Sequence, residues 1–458
     1  MKMTKFFTIN PATGKNIKEY SVFTDSQVNH CVEKSYIAHQ EWRKIPLMER
    51  ATALMRLAKI LRANAQKLSE LMAEEMGKPL TQGLQEIEKC AACLEHYAKE
   101  GPAYIQNQMI TTEARKSFIS YQPLGPILAI MPWNFPFWQV IRCLAPQILV
   151  GNSFLLKHAQ IATGCALEIE KLCHEAQFPD GLMQTLVIDG PHAEELIAHP
   201  LIRGVTLTGS TGAGKKVAAA AGKHLKKVVL ELGGSDAYII LADCDLEKSV
   251  DACVASRLIN SGQSCIAAKR FLVEESIADE FEKLFVQKMK GKLMGSPLEK
   301  QIEIGPQARS DLRNELHQQV TKSIQAGAKL LLGGVIPKGD GFYYSPTVLT
   351  NVRPGQPAFD EELFGPVAAI TRVKNLEEAI TLANQSEFGL GGAIFTKNTE
   401  LAEQVATEEL EVGSAFVNTF VRSDSRLPFG GVKNSGIGRE LGVQGLHEFT
   451  NMKTVYIA

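Results

Sequence analysis

From Gly125 onward, short apolar runs alternate with helical patterns, and this alternation constrains the fold more than any other feature. The runs fall at 127–131, 154–157, 185–188, 204–207, 227–230 and 238–241. Strands that alternate with helices build βαβ units and a mostly parallel sheet covered on both faces. Such sheets bind ligands at the carboxyl ends of their strands. Trp133, Lys157, Gly209 and Glu231 all fall at or just after predicted strand ends. After Gly234 a second α/β pattern runs to about Pro428, with strands expected near 270–273, 368–373, 392–395 and 415–417.

The first hundred residues read as helices. Asp25-Ser26 can cap a helix running toward Arg43, and 47–76 carries a helical apolar stripe that Gly77 and Pro79 stop. The segment 111–122 is polar, alternating and strand-like, and the tail ends in a strand-like 454–457. A chain of 458 residues exceeds what one core can serve, so several domains are expected. The expected division is 1–107 with 124–233, then 234–433, with 108–123 and 434–458 as extensions.

The net charge of −1 exerts no long-range pull toward nucleic acid or an anionic membrane, so neither is an expected partner. No run approaches the roughly 20 apolar residues of a membrane helix, and Met1–Phe7 lacks the apolar core of a secretory signal. Nine scattered cysteines, an odd count, read as free thiols in a reducing cytoplasm. Cys90 and Cys93 form a Cys-x-x-Cys inside a helical pattern without a second pair, which reads as buried small side chains. No metal site is expected.

Three strings carry chemistry. Trp133-Asn134-Phe135-Pro136 supplies an amide donor, Glu231-Leu232-Gly233-Gly234 a carboxylate, and Gly262-Gln263-Ser264-Cys265 a thiol. Acyl chemistry on a thiol needs a base and an oxyanion donor nearby. Between the first two strings, Thr208-Gly209-Ser210-Thr211-Gly212-Ala213-Gly214-Lys215-Lys216 follows a predicted strand and opens a helix. It approaches a P-loop, but Lys216 stands where that motif needs Ser or Thr for magnesium. A helix N-terminus still attracts phosphate, and a dinucleotide pyrophosphate satisfies that.

These strings, with Glu361-Glu362-Leu363-Phe364-Gly365-Pro366 and Pro428-Phe429-Gly430-Gly431 followed by Ser435-Gly436-Ile437-Gly438-Arg439-Glu440, occur in the order found in aldehyde dehydrogenases. The chain resembles that superfamily over essentially its full length. The resemblance implies a Rossmann-like cofactor domain, an α/β catalytic domain and a small β oligomerisation extension. It implies that Cys265 is the nucleophile, Glu231 the general base and Asn134 the side-chain donor to the oxyanion. Trp133, Lys157, Gln160, Gly209, Ser210, Leu232, Glu362 and Phe364 would hold NAD or NADP.

Lys157-His158-Ala159-Gln160 departs from the common pattern: Gln160 stands where many NAD-preferring members carry a ribose-binding Glu. A carboxylate there repels a 2′-phosphate and Gln160 does not, so NADP is admissible. This string and the short start resemble the compact succinate-semialdehyde dehydrogenases. Related semialdehyde enzymes place an arginine at the offset of Arg142 to grip a substrate carboxylate, which a guanidinium holds with two hydrogen bonds. Ser423 and Arg426 are further candidates for the same anion. The second arginine of some relatives is replaced by Ile259, with Arg257 two residues earlier. The expected reaction is oxidation of a short carboxylated aldehyde through a cysteine thioester. A dehydrogenase of neutral or amino aldehydes, or a non-catalytic protein of the same fold, are the alternatives. A homodimer or homotetramer is implied, bridged by 111–122 and the terminal strand.

Overall fold

The computed structural model describes residues 4–458, so the first three residues of Met1–Phe7 lie outside it. Two α/β sheets dominate. The first has six strands in the order Gly436–Ile437, Lys227–Glu231, Gly204–Thr208, Pro126–Met131, Ser153–His158 and Met183–Thr185. All neighbours are parallel except Gly436–Ile437, which runs antiparallel to Lys227–Glu231. The chain builds outward from Pro126–Met131 in one direction, then returns to build the other side from Gly204–Thr208. The crevice at this reversal lies between the loops beginning at Pro132 and Gly209, where an open parallel sheet receives its ligand.

The second sheet has seven strands in the order Lys329–Leu332, Thr347–Thr350, Val367–Val373, Arg270–Glu274, Ala237–Ile240, Gly391–Phe395 and Ser414–Val417. It is parallel apart from the first strand. A third sheet pairs Lys116–Pro123 with Thr450–Ile457 and Gln108–Met109, all antiparallel. Within 434–458, only Thr450–Ile457 lies in this small sheet. Gly436–Ile437 extends the first sheet instead, and the Gly442–His447 helix packs on the helices below it.

Three local readings shift. The first helix, Asp25–Trp42, is capped by Thr24 in a capping box with Gln27, one residue before the expected cap. The stripe over 47–76 is two helices, Leu47–Ala63 and Ala65–Met76, broken at Asn64 and closed by Gly77 at φ +78°. The strand expected at 185–188 is Met183–Thr185. After it the chain leaves the sheet, and Val187 accepts a hydrogen bond from Phe23 N instead.

The Trp138–Val150 helix is buried along its entire length, so its apolar residues surround its axis rather than forming a stripe. Its start is fixed by Glu86, from the Leu80–Tyr104 helix. Glu86 Oε1 accepts from the backbone N–H of Phe137 and of Trp138, each at 2.9 Å. A carboxylate at a helix N-terminus meets the unpaired amides and the positive end of the dipole. Lys78 completes the arrangement: its fully buried ammonium pairs with Glu86 and lies 3.8 Å from the centre of the Phe135 ring. The Trp-Asn-Phe-Pro turn is thus held from beneath by a buried ion pair. Removing one partner of such a pair strands the other charge. Glu86→Ala is therefore expected to lower stability by about 3–5 kcal/mol, read as a shift of the urea midpoint at constant slope. An unmoved midpoint refutes this role.

Candidate active site

The carboxyl-terminal edge of the first sheet faces the amino-terminal edge of the second. Glu231-Leu232-Gly233-Gly234 crosses from one to the other, since Lys227–Glu231 ends where this string begins and Ala237–Ile240 starts just after it. Gly234 permits close approach: a Cβ there would stand 2.7 Å from the Cys265 carbonyl oxygen. Gly234 thus admits the Cys265 loop, while Gly233 makes room for Glu362.

That loop is tightly specified. Asn260, Ser261 and Gly262 have φ of 52°, 56° and 79°, and two of the three are not glycine. Such backbone persists only where surroundings over-determine it. Gln82 accepts from Asn260 N at 2.7 Å, and Ser261 Oγ accepts from Gly305 N at 2.8 Å. Arg257 Nη2 donates to Gly262 O at 2.8 Å, and Gln263 Oε1 accepts from Ala308 N at 2.8 Å. Lys269, fully buried, donates to the carbonyls of Ser264 (2.9 Å) and Cys265 and lies 3.5 Å from Glu362. Arg257 therefore holds this backbone and does not line the substrate-side cavity described below.

Cys265 forms part of the wall of two cavities. The first, about 550 Å³, is lined by Trp133, Asn134, Thr208, Gly209, Ser210, Leu232, Glu362 and Phe364 among others. The rings of Trp133 and Phe364 meet edge-on, 5.7 Å between centres. Ser210 caps the Thr211–Lys223 helix, and a Cβ at Gly212 would meet nothing within 4 Å, so the amides of that first turn are approachable. A helix N-terminus with open space before it suits a pyrophosphate. This cavity fits a dinucleotide. Lys157 and Gln160 lie outside its lining, at the end of Ser153–His158 one strand away.

The second cavity, about 560 Å³, runs from Cys265 past Trp138, Arg142, Phe429 and Ser423 to Gln85. Two expected anion-binding residues stand differently here. Arg142 lines the cavity but is buried against Glu440, with which it forms an ion pair, and donates to Thr208 Oγ1 at 3.3 Å. Arg426 is not part of the wall: its side chain is 75% exposed and pairs with Asp424 at 2.6 Å. Asp424, two residues earlier, draws the guanidinium outward.

Asn134 Nδ2 donates to Gln263 O at 3.2 Å, and its own backbone carbonyl accepts from Asn260 Nδ2 at 2.7 Å. One amide hydrogen is thereby engaged beside Cys265. Glu231 is buried behind the wall, and neither carboxylate oxygen has a hydrogen-bond partner among the described residues. Burial, and then the Glu440 carboxylate, push its proton affinity well above the ordinary range, while Arg142 and Arg439 oppose them. Burial pushes the Cys265 thiol up to about 12, against Lys269 and Arg142, which favour the thiolate. Lys269 and Lys89 are neighbours of the site that no motif contained, and Glu440 was quoted in one without a role. Glu440 sat in a glycine-rich string whose local pattern says only that backbones pass closely. Among the described residues, no three His, Cys, Asp or Glu side chains are grouped to hold a metal ion.

Comparison with known proteins agrees with this geometry. The model of the aldehyde dehydrogenase family matches residues 2–455. The chain is 46% identical over 453 residues to the NAD(P)+ succinate semialdehyde dehydrogenase Sad of Escherichia coli (strain K12), covering 99% of this chain and 98% of that one. It is 41% identical to the NADP+ succinate-semialdehyde dehydrogenase of Deinococcus radiodurans over 98% of this chain and 94% of the relative. The crystal structure of succinic semialdehyde dehydrogenase from Streptococcus pyogenes, in complex with NADP+, superposes with a TM-score of 0.96 at 36% identity, over 99% of both chains. A thiol between two cavities, on this fold and in this sequence context, places the chain in the aldehyde dehydrogenase family.

Proposed function

We propose that this chain oxidises succinate semialdehyde, or a similarly short aldehyde ending in a carboxylate, to the acid through a thioester on Cys265, with NADP or NAD as the hydride acceptor. The observation that carries the reading is the position of Cys265 in the walls of both cavities. The names of the similar enzymes support the substrate class and the cofactor.

Cys265 gives its thiol proton to water in the cavity, Sγ adds to the aldehyde carbon, and the carbonyl becomes an alkoxide. Asn134 Nδ2 and the Cys265 backbone N–H steady that oxygen. One such donor is typically worth about 3 kcal/mol in the transition state. A nicotinamide dinucleotide bound in the first cavity supplies the acceptor for the aldehyde hydrogen, leaving the acyl group on sulfur. Trp133 and Phe364 wall the cavity beside the reacting carbon, and Leu232, Gly209, Ser210 and Glu362 shape the remainder. Glu231 rotates from its buried position to take a proton from water, which attacks the thioester and releases the acid. Lys157 and Gln160, beyond the lining of this cavity at the end of Ser153–His158, would meet the adenosine ribose of a bound dinucleotide.

The nine cysteines are all free thiols, which suits a cytoplasmic enzyme. The strand in the segment expected to bridge, 111–122, is not an edge: Lys116–Pro123 pairs with Thr450–Ile457 on one side and Gln108–Met109 on the other, whereas Thr450–Ile457 and Ser414–Val417 are edge strands. Pairing such edges between copies satisfies both, and a homodimer or homotetramer is the proposed assembly. No helix among the described residues is long and apolar enough to cross a membrane.

Cys265→Ser is expected to abolish oxidation of succinate semialdehyde, and mass spectrometry of the parent enzyme quenched during turnover should find a succinyl adduct on Cys265. Turnover by the serine variant at the parent rate overturns the reading. Gln160→Glu is expected to lower kcat/KM for NADP more than about tenfold relative to that for NAD, because a carboxylate repels the 2′-phosphate. Equal effects on both cofactors remove Gln160 from the ribose site. Cys265 and Glu231 both act deprotonated, and burial raises the affinity of each for its proton. The rate should therefore climb with pH from neutrality into the alkaline range. Glu231→Gln should slow release of the acyl group and reshape that climb in stopped-flow profiles. A flat profile in the parent enzyme contradicts the assignment.

A further inference from the structure

The second cavity holds a cation that the mechanism leaves unused. Lys89 reaches it from the Leu80–Tyr104 helix, half-buried. Its Nζ donates to Ser423 Oγ at 2.7 Å and lies 4.2 Å from the centre of the Trp138 ring. It forms no ion pair with a carboxylate among the described residues. The acidic residue one turn back on its helix, Glu86, is engaged by Lys78 and two backbone amides. Arg142 is engaged by Glu440. Lys89 is thus the cation on this wall whose charge no carboxylate neutralises, apart from the exposed Arg422 at the rim.

A half-buried ammonium without a counterion has lost hydration and regained little, since a hydroxyl and a ring face compensate only in part. Burial and the neighbouring Arg142 charge bring its pKa down to about 8, and a bound anion opposes both effects. Ser423 accepts from Lys89 and so keeps its own hydroxyl hydrogen for another acceptor. An N–H and an O–H donor therefore sit side by side on the wall of the cavity that Cys265 also lines.

We propose that Lys89, together with Ser423, grips the substrate carboxylate and sets the preference for acid-bearing aldehydes, beside Arg142 on the same wall, whose charge Glu440 offsets. This rests on the substrate class proposed above. The assigned geometry puts the anion at the cavity wall between Trp138 and Ser423 and the aldehyde carbon at Cys265.

The test compares succinate semialdehyde with butanal, at saturating NADP, for the full-length parent, Lys89→Met and Lys89→Arg. Lys89→Met should raise KM for succinate semialdehyde about tenfold to a hundredfold, with a smaller effect on kcat, so that the ratio of the two kcat/KM values collapses. Lys89→Arg should restore most of the ratio. Calorimetric titration of succinate into Cys265→Ser protein should likewise weaken by at least about tenfold when Lys89→Met is added. Ser423→Ala should move the same quantities in the same direction, and it serves where Lys89→Met does not fold. A parent enzyme that prefers the acid and keeps that preference after Lys89→Met overturns the Lys89 assignment alone. A parent with no preference for the acid overturns the substrate reading, and this assignment with it.

Discussion

The structure depends on a backbone-to-backbone seam among the loops that lead into the second sheet, where the chain crosses from the first. Gly234 lies against the Cys265 carbonyl, and a Cβ on Gly262 would stand 2.2 Å from the Gly365 carbonyl oxygen. At such separations there is no room for side chains, so the seam is fastened by donors that reach carbonyls from the flanks. Lys269 and Arg257 do this for the nucleophile loop. Asn260 ties the loop to the Trp-Asn-Phe-Pro turn through the Asn134 carbonyl. Thiol, amide donor and buried carboxylate come from three separate stretches of chain, and the seam alone brings them together.

The seam is flanked by buried charged groups, and burial changes how charge behaves around it. Coulomb interactions strengthen as the local dielectric falls, and an unpaired charge becomes costly. Four of the fully buried cations, Lys78, Arg142, Arg257 and Lys269, accordingly face an anion or a backbone carbonyl. Arg142 pairs with Glu440 and also opposes the proton affinity of Glu231. One guanidinium cannot fully compensate two carboxylates, and Glu440 holds it, so Glu231 is left with the more strongly raised proton affinity. A group with a raised proton affinity and no hydrogen-bond partner has little to hold it in place. That suits a base that must move toward its water.

The strands were legible because burial on both faces writes itself as local apolar runs. Pro126–Met131, Gly204–Thr208 and Lys227–Glu231 each lie within a residue or so of where their runs predicted them. Cys265, Asn134 and Glu231 were legible because their strings place special backbone next to a reactive group. The partners of these groups were not. Lys269, Glu440 and Lys89 act through contacts with residues far away in sequence, or through carbonyls that any residue offers. Arg426 shows the converse. Its closeness to Pro428-Phe429 suggested the cavity, but a side chain's direction follows from its neighbours, and Asp424 holds it in solvent. The break at Asn64 was hidden because the apolar stripe continues through it.

The same burial that raises the Cys265 thiol to about 12 also explains the cations around it. A thiol held protonated is a poor nucleophile and a poor target for oxidants. Lys269 and Arg142 favour the thiolate against burial. An aldehyde changes the terms, because sulfur addition moves the developing negative charge from sulfur to oxygen, next to Asn134. In the proposed reaction the charge that burial makes unfavourable on Cys265 is then carried by an oxygen that the Asn134 amide and the Cys265 backbone N–H would steady. The nucleophile is thus matched to the alkoxide that forms rather than to the free thiolate, as expected of a site complementary to its transition state.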